Sequence, residues 1–339
     1  MKTVLLTGGL GFIGSHIAVN LIESDYKVII ADDLSNSKIE TLDKIEKITG
    51  KSPIFYQVDV CERKLLEKTF SENRIDSVVH LAGYKSVAES TQEPIKYYRN
   101  NLISTLTVLE EMQKYKIAQF VFSSSATVYG SENPVPYKED MKIGNCTNPY
   151  GHTKLISEEI ARDVAKANPY ISVMMLRYFN PVGAHSSGLI GEEPQGEPSN
   201  LMPYICKVAS GEYEYLSVFG NDYPTKDGTG VRDYIHVEDL AEGHVKALEY
   251  LKNNPGSHIF NLGTGQGYSV LEILEAFEKA NNVKISYRIE PRRPGDLSEF
   301  YADPSKANEV LDWRAERTVE DMCRDSWNYV LTNSKTDKF

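Results

Sequence analysis

Apolar residues in the first half of the chain follow one repeating order: a short unbroken run, then a longer stretch of helical spacing. Thr3-Val-Leu-Leu-Thr7 is the first run, and Ser15 to Ile22 behind it carries apolar residues three and four apart. The order returns in Lys27-Val-Ile-Ile-Ala31, Pro53-Ile-Phe-Tyr-Gln-Val58, Asp76-Ser-Val-Val-His-Leu81 and Gln119-Phe-Val-Phe122, with a long helical stretch from Pro94 to Tyr115 before the last. Leu155 to Lys166 predicts another helix, ended by Asn168-Pro169, and Pro149 puts Tyr150 in its first turn. Ile171-Ser-Val-Met-Met-Leu176 closes the series as a strand. Unbroken apolar strands alternating with helices predict an α/β fold with a Rossmann-type doubly wound parallel sheet.

The rhythm stops after Arg177-Tyr-Phe-Asn-Pro-Val-Gly183. Glycine, proline and acidic residues dominate from 184 to 235, apart from an amphipathic piece near Leu201-Met-Pro-Tyr-Ile-Cys-Lys207. A second, smaller α/β domain is expected to begin here. Val237 to Leu251 predicts a helix and His258-Ile-Phe-Asn-Leu262 a strand that returns to the first sheet. A helix (Val270 to Ala280), a strand (Lys284 to Ile289), a basic loop (Pro291-Arg-Arg-Pro-Gly-Asp296) and two helical pieces around Trp313 follow. The expected division is 1–180 for the first domain, with 237–263 returning to it, and 181–339 for the second. Without repeats or a low-complexity linker the two should pack tightly, and the tail after Asn333 should be disordered.

A length of 339 residues is long for one core and fits two domains or one large elaborated domain. Hydrophobic residues at 41% and charged residues at 25% belong to an ordinary soluble globular protein. A net charge of −11 argues against a nucleic-acid or anionic-membrane surface, so an anionic ligand would need a local cluster of arginines. No run approaches the ~18 apolar residues of a membrane span, and Gly8, Gly9, Gly11 and Gly14 interrupt a start that briefly looks like a signal peptide. Cys61, Cys146, Cys206 and Cys323 are too scattered for a disulfide framework or a metal site. A reduced, cytoplasmic, metal-free protein is expected.

Candidate chemistry gathers at the ends of the predicted strands, where open parallel sheets bind ligands. Gly8-Gly-Leu-Gly-Phe-Ile-Gly14 stands between a strand and a helix, the context of a dinucleotide loop. Its glycines allow a tight turn and close approach of a pyrophosphate to a helix N-terminus. Asp32 follows the second strand, eighteen residues past the last glycine, where an acid meets the adenosine ribose. Its charge repels a 2′-phosphate and favours NAD over NADP; Asp33 is the alternative acid. His80 sits in an apolar run and reads as a hydrogen-bonded core histidine. Ser123-Ser-Ser-Ala-Thr-Val-Tyr-Gly130 places hydroxyls in the same crevice. Tyr150 and Lys154, four apart, share one helix face. With 21 tyrosines such a spacing arises about once by chance, so its weight comes from its position. Half-ionising a phenol at neutrality takes about three pH units, roughly 4 kcal/mol, and a nearby ammonium moves it that way. The pair suits a general base for a sugar or alcohol hydroxyl.

Together, Gly8 to His16, Phe122 to Gly130, Tyr150 to Lys154, Leu176 to Gly183 and Gly220-Asn-Asp-Tyr-Pro-Thr-Lys-Asp-Gly-Thr-Gly-Val-Arg-Asp-Tyr-Ile-His236 resemble the UDP-glucose 4-epimerases. These are galactose-pathway members of the extended short-chain dehydrogenase/reductase family, and the likeness runs from about residue 3 to 330. The resemblance implies Tyr150 as base, Ser125 as its partner on the sugar 4-hydroxyl, and Lys154 as the cation on ribose and phenolate. It implies an NAD site from Gly8, Gly11, Phe12, Ile13, Gly14, Asp32, Asp33, Leu34, Ser35, Asn36, Ser37, Asp59, Val60, Leu81, Ala82, Gly83, Tyr84, Lys85, Asn100 and Phe179. Asn180, Asn200, Leu201, Phe219, Arg232, Arg293, Asp296 and Phe300 would bind UDP-glucose or UDP-galactose. A homodimer joined through Pro94 to Tyr115 and Tyr150 to Lys166 is implied as well. Departures are Phe12 where the family commonly has tyrosine, Tyr84 where it has leucine, and Phe300 where tyrosine or cysteine is usual; the last bears on substrate choice. A dehydratase or decarboxylase would share the Tyr-Lys pair, but dehydratases carry an Asp-Glu pair where Ala126-Thr127 stands here. An NAD-sensing regulator would have lost the phenol or the lysine.

Overall fold

In the computed structural model of the chain, residues 1–194, 196, 198, 200–293 and 295–334 are described. The apolar runs of the first half become parallel strands β1 (Thr3–Thr7), β2 (Lys27–Asp32), β3 (Ile54–Gln57), β4 (Ser77–His80), β5 (Gln119–Ser125) and β6 (Ser172–Tyr178). Helices α1 (Phe12–Glu23), α2 (Thr41–Thr49), α3 (Arg63–Ser71), α4 (Val87–Gln92), α5 (Pro94–Tyr115) and α6 (Pro149–Ala167) stand between them. The fixed φ of Pro94 suits the first turn of α5, and Lys116, with φ 57°, turns the chain out of helix at its end. Asn148 caps α6, its side chain accepting from the Gly151 amide at 2.8 Å.

The chain then leaves the sheet through β7 (Asn180–Val182), α7 (Leu201–Ala209), β8 (Leu216–Phe219) and β9 (Val231–His236). It comes back with α8 (Val237–Leu251) and β10 (Ser257–Leu262), then ends in β11 (Gly267–Ser269), α9 (Val270–Asn281), β12 (Tyr287–Glu290), β13 (Glu299–Phe300), α10 (Ser305–Val310) and α11 (Val319–Ser334). β10 pairs with β6, giving a seven-stranded sheet in the order β10-β6-β5-β4-β1-β2-β3. All its pairings are parallel.

Successive residues of a strand point to opposite faces, and both faces here are covered. Leu6, Ile30 and Val121 enter one apolar layer with Ile17 of α1 and Leu240 of α8. Leu5, Ile29 and Phe120 enter the other with Val108 and Met112 of α5 and Ala161 of α6. That is why these strands read as unbroken apolar runs. A third core joins Ile205 of α7, Val218 of β8, Phe277 of α9 and Met322 of α11, beneath a small sheet in which β9 pairs with β7, β11 and β13.

Three expectations need correction. β5 runs on through Ser125 rather than ending at Phe122, so the serines belong to the strand. β12 starts at Tyr287 and not Lys284, because the Ile285 amide donates to Glu278 Oε1 at 2.8 Å instead of to a neighbouring strand. β9 begins in the stretch from 184 to 235 for which no strand is predicted; its Arg232 and Asp233 hide the strand signal. α11 extends to Ser334, and the tail expected to be disordered beyond it (335–339) lies outside the described residues, as does Pro294 of the basic loop. Among the described residues no helix is long and apolar enough to cross a membrane.

Candidate active site

The glycine loop joins β1 to α1 by backbone alone. Gly8, at φ 70°, donates to Ala31 O at 2.8 Å, and a Cβ on it would stand 2.9 Å from the Ala82 amide nitrogen. A Cβ on Gly14 would fall 2.3 Å from Gly8 O and 2.7 Å from Gly9 Cα, so the helix can approach the loop only through glycine. Gly11 is the N-cap of α1 with no side-chain cap bond, and the first turn carries no acidic residue. Unpartnered amides at a positive helix end, beside the half-buried Phe12 and Ile13, suit a pyrophosphate.

Asp32 ties this loop to the next. Its Oδ2 accepts from Leu10 N at 3.0 Å, and its Oδ1 from Leu34 N at 3.0 Å and Ser37 Oγ at 2.6 Å. Leu34 takes the left-handed region at φ 64°. Asp33 is exposed and bonds Ser35 of its own loop. Of the two acids, Asp32 faces the glycine loop. Ser35 and Asn36 are exposed on the same turn, Asp59 is exposed after β3, and Val60 is buried. A carboxylate has about four lone-pair sites, so Asp32 retains capacity for a ribose hydroxyl. The residues present fit NAD.

After β4, Leu81, Ala82, Gly83, Tyr84 and Lys85 form the third loop. Asn101, next to the predicted Asn100, holds it in place. Its Oδ1 accepts from Tyr84 N at 2.8 Å, while its Nδ2 donates to Tyr84 O and to Thr153 Oγ1, both at 3.0 Å. Asn100 meets Asn101 Oδ1 at 3.2 Å. Asn101 was missed because consecutive asparagines inside a helix give no sign of which one is buried. His80 is a core histidine, hydrogen-bonded to Thr7 at 2.7 Å and Thr105 at 3.3 Å.

Tyr150 and Lys154 stand on α6 beside the end of β5. Lys154 is buried, donates from Nζ to Ser123 O at 2.6 Å, and lies 5.9 Å from the centre of the Tyr150 ring. Burial lowers the ammonium to about 8. The Tyr150 phenol moves up from its ordinary value, driven by burial and opposed by the Ser125 hydroxyl. The Lys154 ammonium is turned to the Ser123 carbonyl, and burial dominates the phenol. Ser125 is buried at the strand end, its Oγ accepting from Thr127 N at 3.3 Å and Thr127 Oγ1 at 3.0 Å.

Of the remaining predicted residues, Asn180, Arg232 and Phe300 lie on or beside β9, whereas Phe219 stands on β8 and Asn200 and Leu201 at the start of α7. Register sets Asn180 of β7 beside Tyr234, and Phe300 of β13 beside Arg232. Asn180 Nδ2 donates to Asp233 O at 3.0 Å. Arg232 donates from Nη1 to Val231 O and Leu297 O, both at 2.8 Å, and its Nη2 reaches Asp296 Oδ1 at 3.4 Å. The Arg293 guanidinium lies 3.9 Å from the centre of the Phe219 ring. Phe300 packs on Tyr137 at 5.0 Å and on Phe179 at 5.3 Å. Asn200 precedes α7 with Leu201, and its Nδ2 donates to Glu192 Oε1, which also receives Lys85 at 3.0 Å. Asp233 is no partner of Arg232. It is buried and accepts from Thr264 N, Thr264 Oγ1, Gly265 N and Ala302 N.

Sheet order, glycine loop and the Tyr150–Lys154 helix define the class of extended short-chain dehydrogenases/reductases. The model of the NAD dependent epimerase/dehydratase family matches residues 4–263, and the chain belongs to that family. It is 54% identical over 330 residues to a UDP-glucose 4-epimerase of Bacillus subtilis (strain 168), covering 97% of both chains. Its fold is similar to the UDP-glucose 4-epimerase of Bifidobacterium longum in complex with NAD+ and UDP, with a TM-score of 0.95, 51% identity, and coverage of 98% of this chain and 99% of that one. A Stenotrophomonas maltophila UDP-glucose-4-epimerase with bound NAD and formylated UDP-arabinopyranose gives 0.96 at 46% identity, over 99% and 100% of the two chains.

Proposed function

We propose that the chain interconverts UDP-glucose and UDP-galactose, an isomerisation at the sugar 4-position that uses NAD without consuming it. The observation that carries this reading is the meeting of Tyr150, Lys154 and Ser125 at the carboxyl end of β5, in line with the glycine loop at the end of β1. Identity above 50% over nearly the whole chain to a UDP-glucose 4-epimerase supports the substrate pair.

In this reading the loops after β1, β2, β3 and β4 hold NAD, which when bound supplies a reversible hydride acceptor. Tyr150 takes the proton of the 4-hydroxyl as the sugar becomes a 4-keto form. It returns the proton once the sugar has turned over within the pocket, so one base serves both directions. Ser125 orients the hydroxyl, and Lys154 supplies the cation that favours the phenolate. Asn180, Asn200, Leu201, Phe219, Arg232, Arg293, Asp296 and Phe300 form the UDP-sugar side. The division at about residue 180, with 237–263 serving the first part, separates cofactor from substrate binding. Four free cysteines suit the reducing cytoplasm. Ile95, Ile103 and Leu106 of α5 are exposed, which suits a homodimer joined through α5 and α6.

The test is incubation with UDP-galactose and chromatography of the nucleotide sugars. UDP-glucose should accumulate to an equilibrium mixture without added cofactor. Unchanged UDP-galactose, or a dehydrated or decarboxylated product, overturns the reading.

A further inference from the structure

We infer that the buried Glu158–Arg177 pair is a positioning element that fixes the Tyr150–Lys154 helix against the serine strand. Tyr150, Lys154 and Glu158 are spaced four apart on α6, along one face. The first two belong to the chemistry proposed above, on which this inference rests. Glu158 faces the sheet with its side chain wholly buried. Its Oε1 accepts from Ser124 Oγ at 2.6 Å and from Arg177 Nε at 2.9 Å, while Oε2 accepts from Arg177 Nη2 at 2.8 Å. Ser124 and Arg177 are register partners in β5 and β6. One carboxylate therefore binds the helix to both strands, next to the Ser123 carbonyl that receives Lys154 and next to Ser125.

Stability alone does not account for this arrangement. Taking two charges out of water is expensive, and replacing such a pair by apolar side chains of similar volume is often neutral or stabilising. Among the described residues the buried Arg177 Nη1 has no hydrogen-bond partner, and the guanidinium lies instead over the Tyr129 ring, 4.8 Å from its centre. What the fork contributes is geometry: two parallel charge-assisted bonds set both distance and angle. The adjacent flank of α6 is held by neutral contacts with α5, Asn101 to Thr153 and Thr105 to Ser157. Without the carboxylate fork the helix can shift by fractions of an ångström against β5, and a misplacement of about 1 Å at a reacting centre can lower a rate about 100-fold.

The test compares Glu158→Gln, the apolar double variant Glu158→Leu/Arg177→Met, and Ser124→Ala, each as purified NAD-containing enzyme acting on UDP-galactose. The double variant should fold, retain NAD and keep KM within about twofold. Its kcat should fall about 10- to 100-fold, with the rising limb of the kcat–pH profile displaced to higher pH as the phenol loses its aligned partners. Ser124→Ala, which removes one bond and leaves the ion pair, should show the same displacement with a smaller loss. A double variant with wild-type kcat and pH profile overturns the inference. If neither Glu158 variant folds, Ser124→Ala decides: an unmoved profile refutes the positioning role. Tyr150→Phe is assayed alongside, and full activity there would sink the assignment of the base instead.

Discussion

Burial holds His16, His80 and His244 in neutral form, and acidification should expose the cost. His16 of α1 is hydrogen-bonded through Nδ1 to Phe12 O at 2.7 Å, His80 of β4 lies between Thr7 and Thr105, and His244 of α8 meets Leu240 O and the Tyr178 hydroxyl. Burial pushes His16 and His80 from 6.5 down to about 3, and His244 down to about 4. Unfolded, each titrates near 6.5. Between these values the unfolded chain binds protons that the folded chain refuses. Stability is therefore full above about pH 6.5 and declines as pH falls toward the folded values. One histidine contributes a loss of about 1 kcal/mol at pH 5.5 and about 2 kcal/mol at pH 5.0, so the three together approach about 6 kcal/mol at pH 5.0. Against a usual total of about 5–15 kcal/mol, this is a large share.

Urea unfolding of the NAD-containing protein at pH 7.0 and 5.0 measures the loss. His80→Asn lowers the stability at both pH values by removing packing, yet it should reduce the difference between them by about 2 kcal/mol, because one titrating group is gone. His16→Asn should act the same way and additively, since the two side chains share no partner. A difference below about 2 kcal/mol in the unmodified protein, or an undiminished difference in both variants, would refute the reasoning.

Tyr150→Phe should lower turnover of UDP-galactose about 10²- to 10⁴-fold while calorimetry finds UDP binding intact; a full rate would remove Tyr150 as base. Gly14→Ala places a Cβ against the Gly8 carbonyl, so the protein should purify without the NAD that the unmodified chain releases on denaturation. Chromatography of the supernatant checks this, and full occupancy, or NADP as the main species, counts against the loop assignment. Arg232→Ala should weaken UDP binding by about 1.5–3 kcal/mol, and Arg293→Ala should weaken it too; unchanged affinity in both would place the diphosphate elsewhere. Phe300→Cys opens the space wedged between Tyr137 and Phe179 and should confer turnover of UDP-N-acetylglucosamine. Equal efficiency on both sugar classes before the change would show that Phe300 is no gate.

What could be read from sequence follows the range of the interactions involved. α5 and α8 were legible to the residue because local chemistry ends them: Pro94 and Lys116 in one case, the His236 cap and the run to Leu251 in the other. The glycine loop was legible because its requirement lies within seven consecutive residues. Glu158, Arg177 and Asp233 were not, although each is buried deeper than the exposed Asp33 or Asp59. A glutamate on an amphipathic helix reads as a solvated face unless the sheet register that sets Ser124 beside Arg177 is known. Asp233 next to an arginine suggests an ion pair, yet alternation along β9 turns it inward to the amides of Thr264, Gly265 and Ala302 while Arg232 turns out. Residues that touch a ligand carry short-range signatures of their own, whereas those that hold them in place are defined by partners on other strands. The upward shift of the Tyr150 phenol has the same origin. Four residues of spacing bring Lys154 to the correct face of α6, but the Ser123 carbonyl, a partner on the neighbouring strand, decides where its ammonium points.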